Sequence, residues 1–340
     1  MSTVVYVGNV GPDGAEHSTE SDLAEAFGIL GWTVDPYLER DFMKHAARGQ
    51  LDIDRFLSAD LVMHTMTQGA YPNPDAVLKL WDQCREAGVP TASYHLDRFY
   101  GLSSPKDAGP QRCDLPREHP MFRVDHVFTA DGDHQADFER DGVNHHFLRP
   151  GVRTSHAHDS EAYPPWVGQW DIAFIGSSGY HPEWPHRPEL VNWLHATYGD
   201  RFIHIGPGST QTVDDDSGNK LDRLRGHWLN RFYSSVPVTV GDSCLWQRTG
   251  FYTSDRPYEA WGRGGFLIHP GTYGLVEAIG DYPGHDWNCG DWDTLRFEID
   301  RYLADDVMRD VARQRLAAEV RANHTYMVRV RQMLDVIGLT

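Results

Sequence analysis

Short β-branched runs alternate along the chain with stretches whose apolar residues recur at helical spacing. Residues 4–7 read Val-Val-Tyr-Val, and the loop after them carries Gly8, Gly11, Pro12 and Gly14, which cannot prolong a strand. Thr19 with Asp22 then forms a capping-box pattern. Leu23, Ala24, Phe27 and Leu30 follow at helical spacing until Gly31 stops the turn. Trp32, Thr33 and Val34 open the next strand, and residues 59–63 read as another. The following helix has Asn73 as cap and Pro74 in its first position, with Val77, Leu80, Trp81 and Cys84 on one face and Gly88 as its stop. Residues 90–94 and 126–129 are further strands.

Near residue 150 the pattern breaks, because Arg149-Pro150-Gly151 leads into a polar stretch, 155–166, without apolar period. The alternation then restarts. Residues 171–175 predict a strand entering Gly176-Ser177-Ser178-Gly179, with a helix over 188–198 and a strand over 202–205. A helix is expected over 221–233 with Leu224, Trp228 and Phe232 in phase, then a strand over 236–240, a helix from about Arg256 and a strand over 265–268. From Asp291 onward the chain is helix-rich and ends on the stripe Met327, Val330, Met333, Leu334 and Ile337. This order predicts an α/β protein of two Rossmann-like, doubly wound domains facing a cleft, 1–152 and 153–322, with a C-terminal helix over 323–340 packing back toward the first. Ligands of such sheets sit beyond the carboxyl ends of the strands, which directs attention to loops 8–20, 95–101, 176–187 and 241–265.

The length of 340 residues agrees with about two domains at roughly 100–200 residues each. No apolar run reaches the ~18 residues of a membrane span, and the N-terminus lacks the basic start of a signal peptide, so a cytoplasmic location is expected. Cys84, Cys113, Cys244 and Cys289 are widely spaced, the pattern of reduced thiols. A net charge of −18 disfavours generic nucleic-acid binding while leaving room for a local basic cleft. The pairs His145-His146 and His156/His158 lack a placed third ligand and are expected to be surface or interface histidines. Asp214, Asp215 and Asp216 are expected to cap or solubilise a polar loop.

The segment from Thr253 to Pro270 is the most informative. Ser254 or Asp255 caps a short helix that Arg256 and Pro257 open, and Gly264-Gly265 ends it directly before a buried strand. Arg256 and the exposed amides suit an anion, while Glu259 one turn later can accept two hydroxyl hydrogen bonds. A nucleotide-sugar offers both groups. An ordinary helix-to-strand connection with a solvated glutamate fits the same residues.

Residues 253–270 resemble the donor-site segment of the CgeB-like (spore-protein) glycosyltransferases, above all the bacteriophage-encoded members, with their S-D-R-x-x-E-x-x-G-R-G-G-F-L-[IL]-H-P signature. His17-Ser18-Thr19-Glu20, Tyr94-His95-Leu96-Asp97, Leu148 to Val152, Phe174 to Ser177, Val240 to Ser243 and His324-Thr325-Tyr326 fit the same group in the same order.

The resemblance implies a metal-independent GT-B glycosyltransferase without cofactor, taking a UDP-sugar in the C-terminal domain and the acceptor mainly in the N-terminal one. It places Glu259 on the donor ribose, matching the second glutamate of a Glu-x7-Glu signature found in many retaining members; the first position here is Phe251. Arg256, Arg263 and Arg187 are its candidates for the diphosphate, although Arg187 reads more readily as a solvated surface residue. Ser254, Asp255, Gly264, Gly265, Gly176 and Ser177 complete the expected donor set. His17, backed by Asp97, is the candidate base, or else His17 only precedes the helix. Glu20 and His95 are expected on the acceptor side. The acceptor implied is a virion protein, a modified DNA base or a small glycan, in the host cytoplasm if the chain is phage-encoded. A nucleotide-sugar epimerase of the same fold, or a non-catalytic two-lobed binding protein, is the alternative.

Overall fold

The computed structural model describes residues 2–10, 18–65, 71–96, 98, 119–159, 166, 169–178, 184, 186–221, 223–244, 247 and 250–340. They form two compact units, Met1–Thr154 with Tyr326–Thr340, and Ser155–Thr325.

In chain order the first unit contains β1 (Thr3–Gly8), α1 (Thr19–Ile29), β2 (Thr33–Leu38), α2 (Glu39–Ala47), α3 (Ile53–Leu57), β3 (Leu61–His64), α4 (Pro74–Glu86), β4 (Thr91–His95), β5 (His126–Thr129), α5 (Gln135–Arg140) and β6 (His145–Phe147). The strands pair in parallel in the order β2-β1-β3-β4-β5-β6. Strand period 2 decides what each face buries. Val5 and Val7 of β1 join Phe42, Phe56, Leu80 and Trp81 on one face, whereas Val4 and Tyr6 meet Leu23 and Phe27 of α1 on the other. The last helix, Tyr326–Ile337, also lies on that second face, burying Tyr326, Val330, Met333 and Leu334.

Three local expectations are corrected. Ser18, and not Thr19, caps α1, its Oγ accepting from the Ser21 amide at 3.2 Å. The polar segments forming α2, α3 and β6 escaped a reading based on apolar runs. His145 is not a surface histidine: it is 4% exposed in β6, its Nδ1–H donates to Gln135 Oε1 (2.6 Å) and its Nε2 accepts from Thr129 Oγ1 (2.7 Å). Its ring stacks on Phe138 at 3.9 Å, and burial lowers its pKa to about 4.

The second unit contains β7 (Ile172–Ile175), α6 (Arg187–Tyr198), β8 (Phe202–Ile205), β9 (Val213–Asp214), β10 (Lys220–Leu221), α7 (Gly226–Ser235), β11 (Val238–Val240), α8 (Arg256–Gly262), β12 (Leu267–Ile268), α9 (Tyr273–Ile279), α10 (Trp292–Ala304) and α11 (Asp306–Asn323). Its sheet runs β12-β11-β7-β8, all parallel. Ile172, Phe174 and Val240 pack against Leu190, Leu194, Leu295 and Ile299, while Ala173, Ile203 and Ile205 turn to Phe232 and Val236 on the opposite face. The helix expected over 221–233 starts only at Gly226, because β9 and β10 pair antiparallel around a turn whose amides, Ser217 and Asn219, donate to Asp215 Oδ1. Asp216 closes on Arg231 at 2.7 Å, so these aspartates cap and brace a hairpin.

Candidate functional site

Loops following β7, β8, β11 and β12 meet at the carboxyl edge of the second unit's sheet. Gly176, with φ +147°, lies so close to Arg256 that a Cβ there would stand 2.8 Å from Nη2. Its carbonyl accepts from His204 Nε2 at 2.7 Å. Gly206, with φ +138°, approaches the same carbonyl, and a Cβ would stand 2.4 Å from it. The positive φ favours glycine at both positions, and at Gly206 the backbone of Gly176 leaves no room for a Cβ.

The three arginines of the site differ in their partners. Arg187, at the start of α6, is 5% exposed; Nε donates to Asp242 Oδ2 (2.6 Å), Nη2 to Asp242 Oδ1 (3.2 Å) and Nη1 to Ser177 Oγ (3.1 Å). The solvated reading of Arg187 is therefore overturned: it is a buried, bidentate ion pair that ties Ser177 to the loop after β11. Arg263, at the far end of α8, is 4% exposed and donates to Glu259, Asn230, Gly226 and His156. Arg256 differs from both. Half-buried at the start of α8, it touches the Phe174 ring at 5.5 Å but makes no hydrogen bond or ion pair among the described residues. Unlike the other two, its guanidinium is not tied by hydrogen bonds to a carboxylate.

Around it, Thr253 Oγ1, Ser254 Oγ and His269 Nε2 are buried without a hydrogen-bond partner among the described residues. His269 donates from Nδ1 to the Pro270 carbonyl (2.9 Å), and burial lowers its pKa to about 4, so its ring is neutral near pH 7. Desolvation, then the Glu259 charge, raises the carboxyl of Asp255, against the opposing pull of Arg256. Asp255 precedes α8 without making a side-chain cap hydrogen bond. Glu259 lies one turn into α8, its carboxylate held by Arg263 Nε at 2.5 Å. Gly264 and Gly265 are placed beyond the other end of α8, against Asp159 and Tyr233, where they turn the chain into β12. A cavity of about 400 Å³ opens there, lined by Asp159, Tyr233, Gly264, Phe266, Arg309 and Arg313.

In the first unit, Glu20 is 3% exposed at the start of α1, and burial raises its carboxyl above the ordinary range. It packs against Gly8, where a Cβ would come within 3.2 Å of its Cγ. His95 ends β4 at 3% exposure; burial, then the nearby His64 and His119, lower its pKa well below normal. His17 and Asp97 lie outside the described residues. Sequence reasoning did not single out His204, His269 or Asn230, and it had Asp242 only within a weak four-residue match. Among the described residues no group of three His, Cys, Asp or Glu side chains is placed to hold a metal ion, and no helix is long and apolar enough to cross a membrane.

Residues 186–335 match the model of a family described as glycosyl transferase-like. An alpha-glucosyltransferase solved with UDP and a 13-mer DNA containing a HMU base superposes with a TM-score of 0.68 at 12% identity, covering 99% of this chain and 100% of its own. Anabaena HepE in complex with UDP and glucose does so with a TM-score of 0.64 at 10% identity, over 100% of both chains. The fold is that of the GT-B glycosyltransferases. The part matched by the family model holds Arg187, Asp242 and the whole Thr253 to Pro270 segment, so the most informative stretch of sequence and the Arg256 guanidinium fall in the same half of the GT-B fold. No curated protein sequence matches the chain.

Proposed function

We propose that this protein is a CgeB-like glycosyltransferase that moves a sugar from a UDP-sugar to an acceptor hydroxyl, without a metal and with retention at the anomeric carbon. The observation that carries this reading is Arg256, a half-buried cation with no hydrogen bond or ion pair among the described residues, packed on Gly176 one turn before Glu259. The diphosphate takes Arg256, and the ribose hydroxyls take Glu259. The buried hydroxyls of Thr253 and Ser254 supply further donors. Arg187 keeps Ser177 and Asp242 in place around that site.

UDP-glucose is α-linked, so an alpha-glucosyltransferase that uses it retains configuration; this chain shares that fold. In the retaining route the leaving phosphate removes the acceptor proton. An inverted product requires a protein base instead, the role for which His17 and Asp97 are the candidates. Glu20 and His95 are proposed on the acceptor side. A net charge of −18 favours a protein or small-glycan acceptor over a DNA base.

The test is calorimetry with UDP and UDP-glucose in EDTA, followed by transfer to candidate acceptors and NMR of the product. Binding of UDP with a retained centre in the product is expected; absence of any nucleotide binding, or an inverted centre, overturns the corresponding part of the proposal.

A further inference from the structure

Glu259 has a flexible side chain, and a carboxylate that must meet two vicinal hydroxyls at once gains from being held in one rotamer before the ligand arrives. Arg263 does the holding. Its Nε donates to Glu259 Oε2 at 2.5 Å, Nη1 to Asn230 Oδ1 (2.5 Å) and to the Gly226 carbonyl (3.1 Å), and Nη2 to His156 Nδ1 (2.9 Å). An arginine has no acceptor, so His156 Nδ1 is the acceptor in this contact. Asn230, 1% exposed, is fixed in turn by donating Nδ2 to the carbonyls of His156 and His158, both at 2.9 Å.

We propose, on the nucleotide-sugar reading above, that Arg263 is a positioning residue which orients Glu259 for the ribose, and that the Asn230, Gly226 and His156 cradle serves to hold Arg263. Four of its five N–H donors are engaged inside the protein, so it does not contact the diphosphate, the role for which the family resemblance made it a candidate. Two carboxylate oxygens offer about four acceptor positions, so the bond from Nε does not by itself exclude hydroxyls from Glu259. Arg263 thus acts on the ligand only through Glu259.

The experiment compares UDP with 2′,3′-dideoxyuridine diphosphate by calorimetry on the intact protein. Wild type is expected to prefer UDP by about tenfold or more, the worth of hydrogen bonds to a charged group. Arg263→Gln should lower that preference below about threefold while affinity for the dideoxy compound stays within about threefold, and Arg263→Lys should recover part of it. His156→Ala, which removes one acceptor from a partly exposed position, should reduce the preference by a smaller factor and serves if Arg263→Gln does not fold. Equal weakening of both ligands indicates a general structural role or a diphosphate contact and overturns the proposal, as does an unchanged preference in Arg263→Gln and His156→Ala. Wild type that binds both compounds equally removes Glu259 from the ribose and the proposal with it. Wild type that binds neither overturns the nucleotide-sugar reading itself.

Discussion

Replacing Arg256 with Gln separates ligand binding from stability. In the free protein this guanidinium makes no hydrogen bond or ion pair among the described residues, and its contact with Phe174, at 5.5 Å, is worth about 1 kcal/mol. Its removal therefore costs the fold little, and the relief of a half-buried charge works in the opposite direction. The melting temperature is expected to move by no more than ~3 °C. Ligand affinity should behave differently. A hydrogen bond to a charged group contributes about 1.5–3 kcal/mol, and loss of one or two such bonds from a planar fork to a diphosphate amounts to ~2–4 kcal/mol. Affinity for UDP should fall roughly 30- to 1,000-fold. Arg256→Lys keeps the charge without the fork and should lie between. Calorimetry measures the affinity and differential scanning measures the fold on the same samples. A UDP affinity within twofold of wild type would refute the reasoning, and so would a fall in affinity that merely follows a collapse in stability.

Asp242→Ala should show the reverse pattern, destabilising the second unit by ~3–5 kcal/mol in urea titration, because Arg187 is left buried and unpaired; the double change Arg187→Met with Asp242→Leu should cost clearly less. Equal losses for the single and double variants would count against that account. His145 supplies a pH test. Its folded pKa of about 4 lies below the ordinary 6.5, so the unfolded chain binds the extra proton between those values, and the stability His145 contributes is present above pH 6.5 and lost as pH falls toward 4. Between pH 7 and pH 5 that loss is ~2 kcal/mol, and a His145→Gln protein, less stable at pH 7, should show an acid slope shallower by that amount. UDP-sugar turnover should persist in excess EDTA; abolition restored by magnesium or manganese would return attention to a metal-assisted diphosphate.

Strands such as β1, β3, β7 and β8 were legible because both faces are buried and each is a short, nearly continuous run of apolar residues, many of them β-branched or aromatic. Asn73 and Pro74 mark the start of α4 by a local rule, and local rules survive folding. The misread helix start at 221 shows the limit. Leu221 and Leu224 happen to continue the spacing of Trp228 and Phe232, but Gly218 at φ +79° and Gly226 at φ +53° turn the chain, and periodicity does not see a turn. Short β6 was hidden by its two histidines. In the site, the residue types of the 253–270 segment were legible but their partners were not. Arg187 meets Asp242 across 55 positions and Arg263 meets His156 across 107, distances over which no spacing rule operates. What the chain's pattern could mark was a set of arginines; only the packed structure sorts those already neutralised from the one left open.

That sorting bears on how a diphosphate is held. Arg187, Arg256 and Arg263 are balanced in number by Asp242, Asp255 and Glu259, so the site as a whole carries no surplus of formal positive charge. Net attraction is therefore a poor account of anion binding here, and geometry has to supply it. Asp242 and Glu259 are each bound to an arginine, which fixes where the carboxylates point, while Arg256 stands against the backbone of Gly176, where a phosphate oxygen can reach it. Neutral donors with no internal partner, the Thr253 and Ser254 hydroxyls, are already desolvated beside it, so their hydrogen bonds to a phosphate need little reorganisation of the protein. On the proposed nucleotide-sugar reading, a site built this way binds a diphosphate through preorganised dipoles and one cation that no internal carboxylate ties down. Its affinity for UDP should accordingly depend only weakly on ionic strength, since the charge that matters is half-buried and lies close to its ligand.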